Sequence, residues 1–138
     1  MKLSEFRLKR RVQFYETDLA GVVHFSWYYR YAEEAEHALW RAAGLSIAPP
    51  GGEIGWPRVS ASFEFREPLR FEEEFEVLVR VAAITSRTIR YTCLITRGDT
   101  TIATGTHTAV CVRQRPGGSM TATSIPDDIA ARLAAAGD

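Results

Sequence analysis

Residues 14–31 read FYETDLAGVVHFSWYYRY, and this stretch decides how the rest of the chain is interpreted. Thr17 and Asp18 begin a turn, and Gly21 relaxes the backbone three residues later. Ser26 is a good N-cap for a helix that we expect over roughly residues 27–43. The stretch therefore predicts a strand end, a turn that carries one carboxylate, and a long helix.

The predicted helix has one apolar face and ends at Gly44, which fits the residue that stops a helix. Residues at helical spacing form that face, namely Tyr28, Tyr31, Ala32, Ala35, Ala38, Leu39 and Ala42. We expect Glu33, Glu34 and Glu36 to lie on the solvated surface of the helix; the alternative is that one of them points into a site at a subunit interface.

Alternation of apolar and polar residues predicts strands on both sides of this helix. Pro49, Pro50 and the glycines after them predict a loop over residues 46–57 that neither a helix nor a central strand can cross. The predicted strands cover 6–14, 59–65, 71–81, 89–95 and 101–113, and a short helix is predicted over 126–136. The pattern indicates an α+β fold in which an antiparallel sheet wraps one helix, as a single domain over residues 1–138.

Composition narrows the possible functions. Lys plus Arg equals Asp plus Glu at 17 each, so no basic excess points to nucleic acid or an anionic membrane as a partner. No signal peptide and no apolar run long enough to span a bilayer are present, which favours a cytoplasmic protein. Cys93 and Cys111 lie in apolar strand-like segments, where we expect reduced thiols and no metal site.

Asp18 is the main candidate for chemistry. A carboxylate beside a helix N-terminus can attack an acyl carbon or deprotonate water, while the helix start offers N–H groups to a developing oxyanion. A capping or Asx-turn aspartate is the alternative interpretation. His24 is open to two interpretations as well, as a general base or as a structural histidine, and His107 is given no role.

Two further groups of residues are candidates for substrate contact. The aromatic residues that begin the helix fit a core or an interface, and they are compatible with lining an apolar acyl pocket. The turn Ser86-Arg87-Thr88, with Arg90 close by in sequence, can hold a phosphate or can simply be a turn with exposed arginines.

The central stretch resembles the hotdog-fold acyl-CoA thioesterases of the 4-hydroxybenzoyl-CoA thioesterase family. The matching residues are Phe14, Thr17-Asp18, Ala20-Gly21-Val22-Val23, Phe25, Tyr28, and the helix with Glu34 ending at Gly44-Leu45. The resemblance implies a hotdog fold, in which a five-stranded antiparallel sheet wraps one long central helix. It also implies a homo-oligomer, either a dimer or a dimer of dimers, with active sites at the dimer interface.

The same resemblance implies roles for individual residues. Asp18 is implied as nucleophile or general base, and the backbone N–H of Phe25 as the donor that polarises the thioester carbonyl. Substrate contacts are implied for Gly21, Val22, Val23 and Tyr28, and for Ser86, Arg87 and Thr88 at the coenzyme A phosphates. One branch of the family has tyrosine then histidine where this chain has His24 then Phe25, so the histidine here is displaced by one position.

These inferences predict an acyl-CoA thioesterase that needs no cofactor or metal, with the CoA thioester as its substrate. One alternative is a hotdog hydratase or dehydratase, in which His24 works with a helix carboxylate. The other is a non-catalytic module that binds acyl-CoA.

Overall fold

The structure is a computed structural model that describes residues 1–136. Its strands and helices, in chain order, are β1 (Glu5–Arg11), α1 (Ser26–Ala42), β2 (Ile54–Gly55), β3 (Arg58–Phe65), β4 (Glu74–Ile84), β5 (Thr88–Arg97), β6 (Thr100–Val110), β7 (Val112–Gln114), β8 (Met120–Ala122) and α2 (Asp127–Ala130). A three-residue 3-10 turn, Phe14–Glu16, lies between β1 and α1. None of the helices within this described part of the chain is long and apolar enough to cross a membrane.

Five strands form one antiparallel sheet in the order β1-β4-β5-β6-β3, and α1 packs against one face of it. The helix contributes Tyr31, Ala32, Ala35 and Leu39 to the buried core, where small alanines let a helix approach a sheet closely. Gly44 ends the helix with a positive φ of 79°, and the N–H of Leu45 donates to the carbonyl of Trp40 as in a Schellman motif. The predicted α+β hotdog architecture is confirmed.

Two predicted strands have other bounds than the alternation suggested: β1 ends at Arg11 and β4 begins at Glu74. Val12 and Phe14 continue the apolar period of β1, but the Val12 backbone bonds to Glu72 and Glu73, and Phe14 begins the 3-10 turn with its ring exposed. Phe71 lies outside β4, because the chain turns at Glu72, whose φ is 74°. In both places backbone pairing between distant segments overrides the local pattern.

A second, three-stranded sheet of order β2-β7-β8 was not predicted. Its strand β2 lies inside the stretch that the sequence indicated as loop. The strand predicted over 101–113 divides at Cys111, whose N–H donates to Arg87 and whose carbonyl accepts from Thr123. Because of these pairings, the chain leaves the large sheet after β6 and continues as β7 of the small sheet.

The C-terminal helix is also shorter than predicted. It covers Asp127–Ala130, and Pro126 is its N-cap where the sequence suggested the first helical position. Leu133, buried beyond the helix, forms a parallel bridge with Leu3, so the remaining chain pairs with the N-terminus instead of extending the helix. The single-domain prediction also includes residues 137–138, which lie outside the described residues.

Candidate functional site

A tight loop between the 3-10 turn and α1 presents Asp18. The Asp18 N–H donates to the carbonyl of Val22 at 2.8 Å, and the Gly21 N–H donates back to the carbonyl of Asp18 at 2.9 Å. Gly21 has a φ of 80°, a conformation that glycine adopts without steric cost. A bridge between Thr17 and Val23 closes the base of the loop. Gly21 therefore shapes the turn that carries Asp18.

The Asp18 carboxylate is exposed and held by only one of its oxygens. Oδ1 accepts hydrogen bonds from the Ala20 N–H at 2.9 Å and, more weakly, from the Val22 N–H at 3.4 Å. The Asx-type contact considered as an alternative role is thus present. Among residues 1–136 nothing donates to Oδ2. The turn orients the carboxylate and leaves one oxygen free to react.

The start of α1 differs from the prediction. Phe25 is the N-cap, with helical φ and ψ of −57° and −27°, and Ser26 is the first helical residue, so the assignment of Ser26 as the cap is wrong. Instead, the Nδ1 of His24 accepts from the Ser26 N–H at 3.3 Å and contacts the Ser26 Oγ at 2.8 Å. Because Nδ1 accepts, the proton of the neutral ring lies on Nε2. His24 therefore caps the helix with its ring.

The N–H of Phe25 has no acceptor within residues 1–136. It lies at the positive end of a 17-residue helix, where unpaired N–H groups favour negative charge. Asp18 and Phe25 line the same cavity, of about 330 Å³. Val22, Val23, Tyr28 and Phe65 line it too. Burial raises the pKa of Tyr28, so its hydroxyl remains protonated. The structure thus brings Asp18 and Phe25 to one cavity. Three of the predicted substrate contacts, Val22, Val23 and Tyr28, line the same cavity.

A second cavity, of about 420 Å³, lies on the other side of Phe25 between α1 and strands β3 and β6. Tyr29, Ala61 and Phe63 give it largely apolar walls. Its polar lining includes Glu36, Arg58 and His107. Phe25 lines both cavities and is 61% exposed, so it lies between the Asp18 cavity and an aromatic one.

Glu36 is fully buried, so its prediction as solvated helix surface is wrong. Its Oε1 lies 2.9 Å from His107 Nε2, and its Oε2 accepts from Arg58 Nη1 at 2.9 Å. Burial alone would raise the pKa of Glu36, but the hydrogen bond to His107 and the Arg58 charge hold it below its ordinary value. One signal was available: Glu36 falls in the apolar stripe of the helix, four residues after Ala32 and three before Leu39.

Glu16 is a second buried carboxylate that sequence analysis missed. Its Oε1 accepts from Arg10 Nη1, from the backbone N–H of Gln13 and from the Tyr31 hydroxyl, each at 2.9 Å. Arg10 also donates to Glu34 at 2.7 Å, so Glu34 belongs to this network although its own side chain is 41% exposed. Glu16 lies at the third position after the turn's N-cap, Gln13, which is where a capping-box glutamate occurs.

The turn Ser86-Arg87-Thr88 lies at the opposite end of the sheet from Asp18. Phe65, beside Asp18, pairs with Ala103 of β6, whereas Thr88 pairs with Val110 of the same strand. Seven residues of β6 separate the two rows, which corresponds to roughly 23 Å at the usual rise of a strand. Within one chain the structure therefore does not bring this turn to the candidate catalytic residues.

Cys93 and Cys111 are buried and not linked to each other. Burial raises the pKa of the Cys93 thiol to about 12. Among residues 1–136 no cluster of three or more histidine, cysteine, aspartate or glutamate side chains is arranged to hold a metal ion.

Comparison with known proteins places these features in a family. Residues 12–133 match the model of the Thioesterase-like superfamily. A protein from Aquifex aeolicus (strain VF5) named "Putative esterase" is 34% identical over 101 residues, which cover 71% of this chain and 77% of that protein.

Two solved structures show the same fold at low identity. A 1,4-dihydroxy-2-naphthoyl-CoA thioesterase from Synechocystis is 21% identical, with a TM-score of 0.82, over 90% of this chain and 91% of that one. A 4-hydroxybenzoyl CoA thioesterase mutant complexed with 4-hydroxybenzoyl CoA is 18% identical, with a TM-score of 0.81, over 94% and 98% of the two chains. The predicted resemblance to hotdog thioesterases is confirmed. The chain belongs to the Thioesterase-like superfamily.

Proposed function

We propose that this protein hydrolyses an acyl-CoA thioester to a carboxylic acid and free coenzyme A. One observation carries the proposal: Asp18, whose carboxylate has one free oxygen, and Phe25, whose N–H at the helix start is unpaired, line the same cavity. A thioester has a good leaving group, so an oriented carboxylate and an oxyanion donor can suffice without a metal or cofactor. Superfamily membership supports a hydrolase of this class.

In the proposed reaction the Phe25 N–H donates to the thioester carbonyl oxygen as negative charge develops there. Asp18 then acts through Oδ2 in one of two ways. As a nucleophile it adds to the carbonyl carbon, the C–S bond breaks, and the thiolate of coenzyme A leaves; water hydrolyses the resulting anhydride and restores the carboxylate. As a general base it takes a proton from the water that attacks the same carbon. Both routes release the same products.

The acyl group is proposed to occupy the second cavity, beyond the Phe25 ring. Tyr29 and Phe63 give this cavity aromatic walls, which suit a planar aromatic acyl group through edge and face contacts. The Synechocystis enzyme and the 4-hydroxybenzoyl CoA thioesterase, by their names, act on aromatic acyl-CoA thioesters. We therefore expect aromatic acyl-CoAs to be better substrates than short aliphatic ones.

We further propose that two copies of the chain complete the site. Strand β3 lies at the edge of the sheet, and seven of its eight residues are exposed, with Val59 at 62% and Phe65 at 49%. An edge strand with unpaired backbone groups and exposed apolar side chains such as Val59 and Phe65 invites strand pairing. Antiparallel pairing of β3 with its copy would place Ser86, Arg87 and Thr88 of the partner subunit at the Asp18 end, where they can contact coenzyme A phosphates. A dimer or a dimer of dimers follows.

Release of free thiol from a panel of aromatic and aliphatic acyl-CoAs tests the proposal. We expect Asp18→Asn and Asp18→Ala each to lower kcat by about a thousandfold or more, because both remove the reacting carboxylate. Asp99→Asn, the same change at an exposed turn residue away from both cavities, is the matched control and should keep full activity.

Three outcomes would count against the role of Asp18 or against this function. Hydrolysis that both Asp18 variants retain in full would exclude Asp18 as the catalytic group. Tight binding of acyl-CoA without turnover by the unmodified protein would indicate a binding module. Conversion of enoyl-CoA to hydroxyacyl-CoA that is lost in His24→Ala and kept in Asp18→Asn would indicate a hydratase.

A further inference from the structure

Glu16 is two residues from Asp18 and lies outside the cavity that Asp18 lines. We infer that Glu16 is a positioning residue, whose ionised carboxylate holds the loop so that Asp18 faces the substrate carbonyl. The inference rests on the proposed thioesterase function and adds to it a group that never touches the substrate. It comes from the contacts of Glu16 and from the path of the chain between the two carboxylates.

The contacts of Glu16 tie three parts of the chain to one point. Arg10 reaches it from β1, the N–H of Gln13 from the 3-10 turn, and the Tyr31 hydroxyl from α1, all at 2.9 Å from Oε1. Oε2 lies 2.6 Å from Arg10 Nη2 as an ion pair. The guanidinium also lies 4.7 Å from the centroid of the Tyr31 ring. Hydrogen bonds and an ion pair therefore connect Glu16 to the sheet and to the helix.

Burying an anion is costly, and a three-residue turn does not require one. Glu16 is 0% exposed, and the Arg10 side chain is 17% exposed, so most of the hydration of both charges is lost. A neutral side chain could cap the same turn. An ion pair retained at such a position can instead specify one conformation among several, and the conformation fixed here is that of the loop that follows.

The chain leads directly from Glu16 to both candidate catalytic groups. The carbonyl of Glu16 accepts from the His24 N–H at 2.8 Å, which anchors the residue before Phe25. Thr17 forms a bridge with Val23, and the Asp18 N–H donates to Val22. A rotation of Glu16 would therefore be passed to Asp18, because only Thr17 lies between them and it is held by its bridge to Val23.

Replacing Glu16 by glutamine tests the need for charge with almost no change of shape. An amide offers one oxygen and one NH₂ group, so it must either face Arg10 with a donor or give up an acceptor that now serves three donors. We expect kcat to fall about 10- to 100-fold, since a displacement near 1 Å can cost about 100-fold. KM should change less than about twofold, because Glu16 does not line either cavity.

A double-variant comparison separates action through Asp18 from general damage. If Glu16 works by placing the Asp18 carboxylate, then Glu16→Gln should lower kcat in the wild-type background and have almost no effect in the Asp18→Asn background. Tyr31→Phe removes one of the donors to Oε1 and should give a smaller fall in kcat, again only when Asp18 is present. This variant serves as the test if Glu16→Gln does not fold.

The results discriminate clearly. An equal loss of rate in both backgrounds, or a rise in KM that accounts for the whole effect, would overturn the positioning role. Unchanged kcat in folded Glu16→Gln would overturn it as well. If the unmodified protein releases no thiol from any acyl-CoA of the panel, the proposed function fails, and that result is visible before any Glu16 variant is compared. If Asp18→Asn keeps wild-type activity, hydrolysis stands, but Asp18 is not the catalytic group and the positioning role of Glu16 is overturned with it.

Discussion

The charge of Glu36 stabilises the contact between α1 and the sheet, and Glu36→Gln removes that charge while keeping the side chain's size. In the native protein one oxygen faces His107 and the other accepts from Arg58, each at 2.9 Å. After the substitution the Arg58 guanidinium loses its closest anion. Its remaining anionic contact is Glu33, whose Oε2 lies 3.4 Å away and whose side chain is 49% exposed.

The expected loss of unfolding free energy in Glu36→Gln follows from how deeply each partner is buried. Leaving a charge unpaired in a protein interior costs about 3–5 kcal/mol. Arg58 is 29% exposed and keeps the weaker Glu33 contact, so the loss should be smaller, about 2–3 kcal/mol. For a chain of this length, about 3–5 °C of Tm corresponds to each kcal/mol, which gives a fall in Tm of roughly 10 °C.

Denaturant titration followed by circular dichroism measures the free energy of unfolding. Glu33→Gln is the matched control, because it removes the other carboxylate that contacts Arg58 and should cost under about 1 kcal/mol. If Glu36→Gln proves as mild as Glu33→Gln, the ion pair contributes nothing beyond a neutral hydrogen bond and the reasoning is refuted.

The same pair of proteins gives a pH prediction. The pKa of Glu36 in the folded protein lies below its ordinary value of 4.5, so the folded state binds this proton less readily than the unfolded state does. The stabilisation is therefore complete above about pH 5 and is lost as the pH falls through the folded-state pKa. The difference in unfolding free energy between wild type and Glu36→Gln should shrink as the pH falls below about 4.5. A difference in unfolding free energy that grows as the pH falls would contradict the predicted direction.

Three further predictions test other parts of the structure. A Cβ on Gly105 would lie 2.6 Å from the Phe63 ring, so Gly105→Ala should cost about 1–2 kcal/mol, and Phe63→Leu in the same chain should recover most of the lost Tm. Cys93 should resist alkylation at pH 8 in the native protein and react once it unfolds, as mass spectrometry can show, because its pKa is about 12 and it is 3% exposed. His24→Ala should speed hydrogen exchange of the Ser26 amide and cost about 0.5–1 kcal/mol while lowering kcat less than tenfold; a loss of a hundredfold would instead make His24 catalytic.

The large sheet and α1 were predictable because their patterns are local. Alternation over seven or more residues marked β3 to β6, and the helical period with Gly44 marked α1. The second sheet could not be found in this way: its strands have two or three residues, too few to show a period, and they exist only because Gly55 meets Val112 across the fold. The ends of β1 and β4 were missed because they too depend on backbone bonds between distant segments.

The sequence indicated Asp18 as a candidate catalytic carboxylate, but it did not indicate that Glu16 and Glu36 are buried. The turn, its carboxylate and the helix that follows lie within a short stretch whose residue types indicate them, whereas the proposed role of the Phe25 N–H was implied only by the resemblance to hotdog thioesterases. Glu36 depends on partners 22 and 71 residues away, and a hydropathy pattern counts it as polar helix surface until those partners are known.

Two buried carboxylates on opposite sides of α1 explain how the Phe25 N–H at the helix start can be left without an acceptor and still stay in place. On one side Glu16 binds Tyr31 of the helix, and on the other Glu36 of the helix binds Arg58 and His107. Arg10 connects the helix to β1, and the contacts of Glu36 connect it to β3 and β6. These contacts resist a shift of the helix along its axis. An oxyanion donor lowers a barrier only if it needs no reorganisation when charge develops. The costly burial of both carboxylates is therefore consistent with keeping the Phe25 N–H aimed at one point.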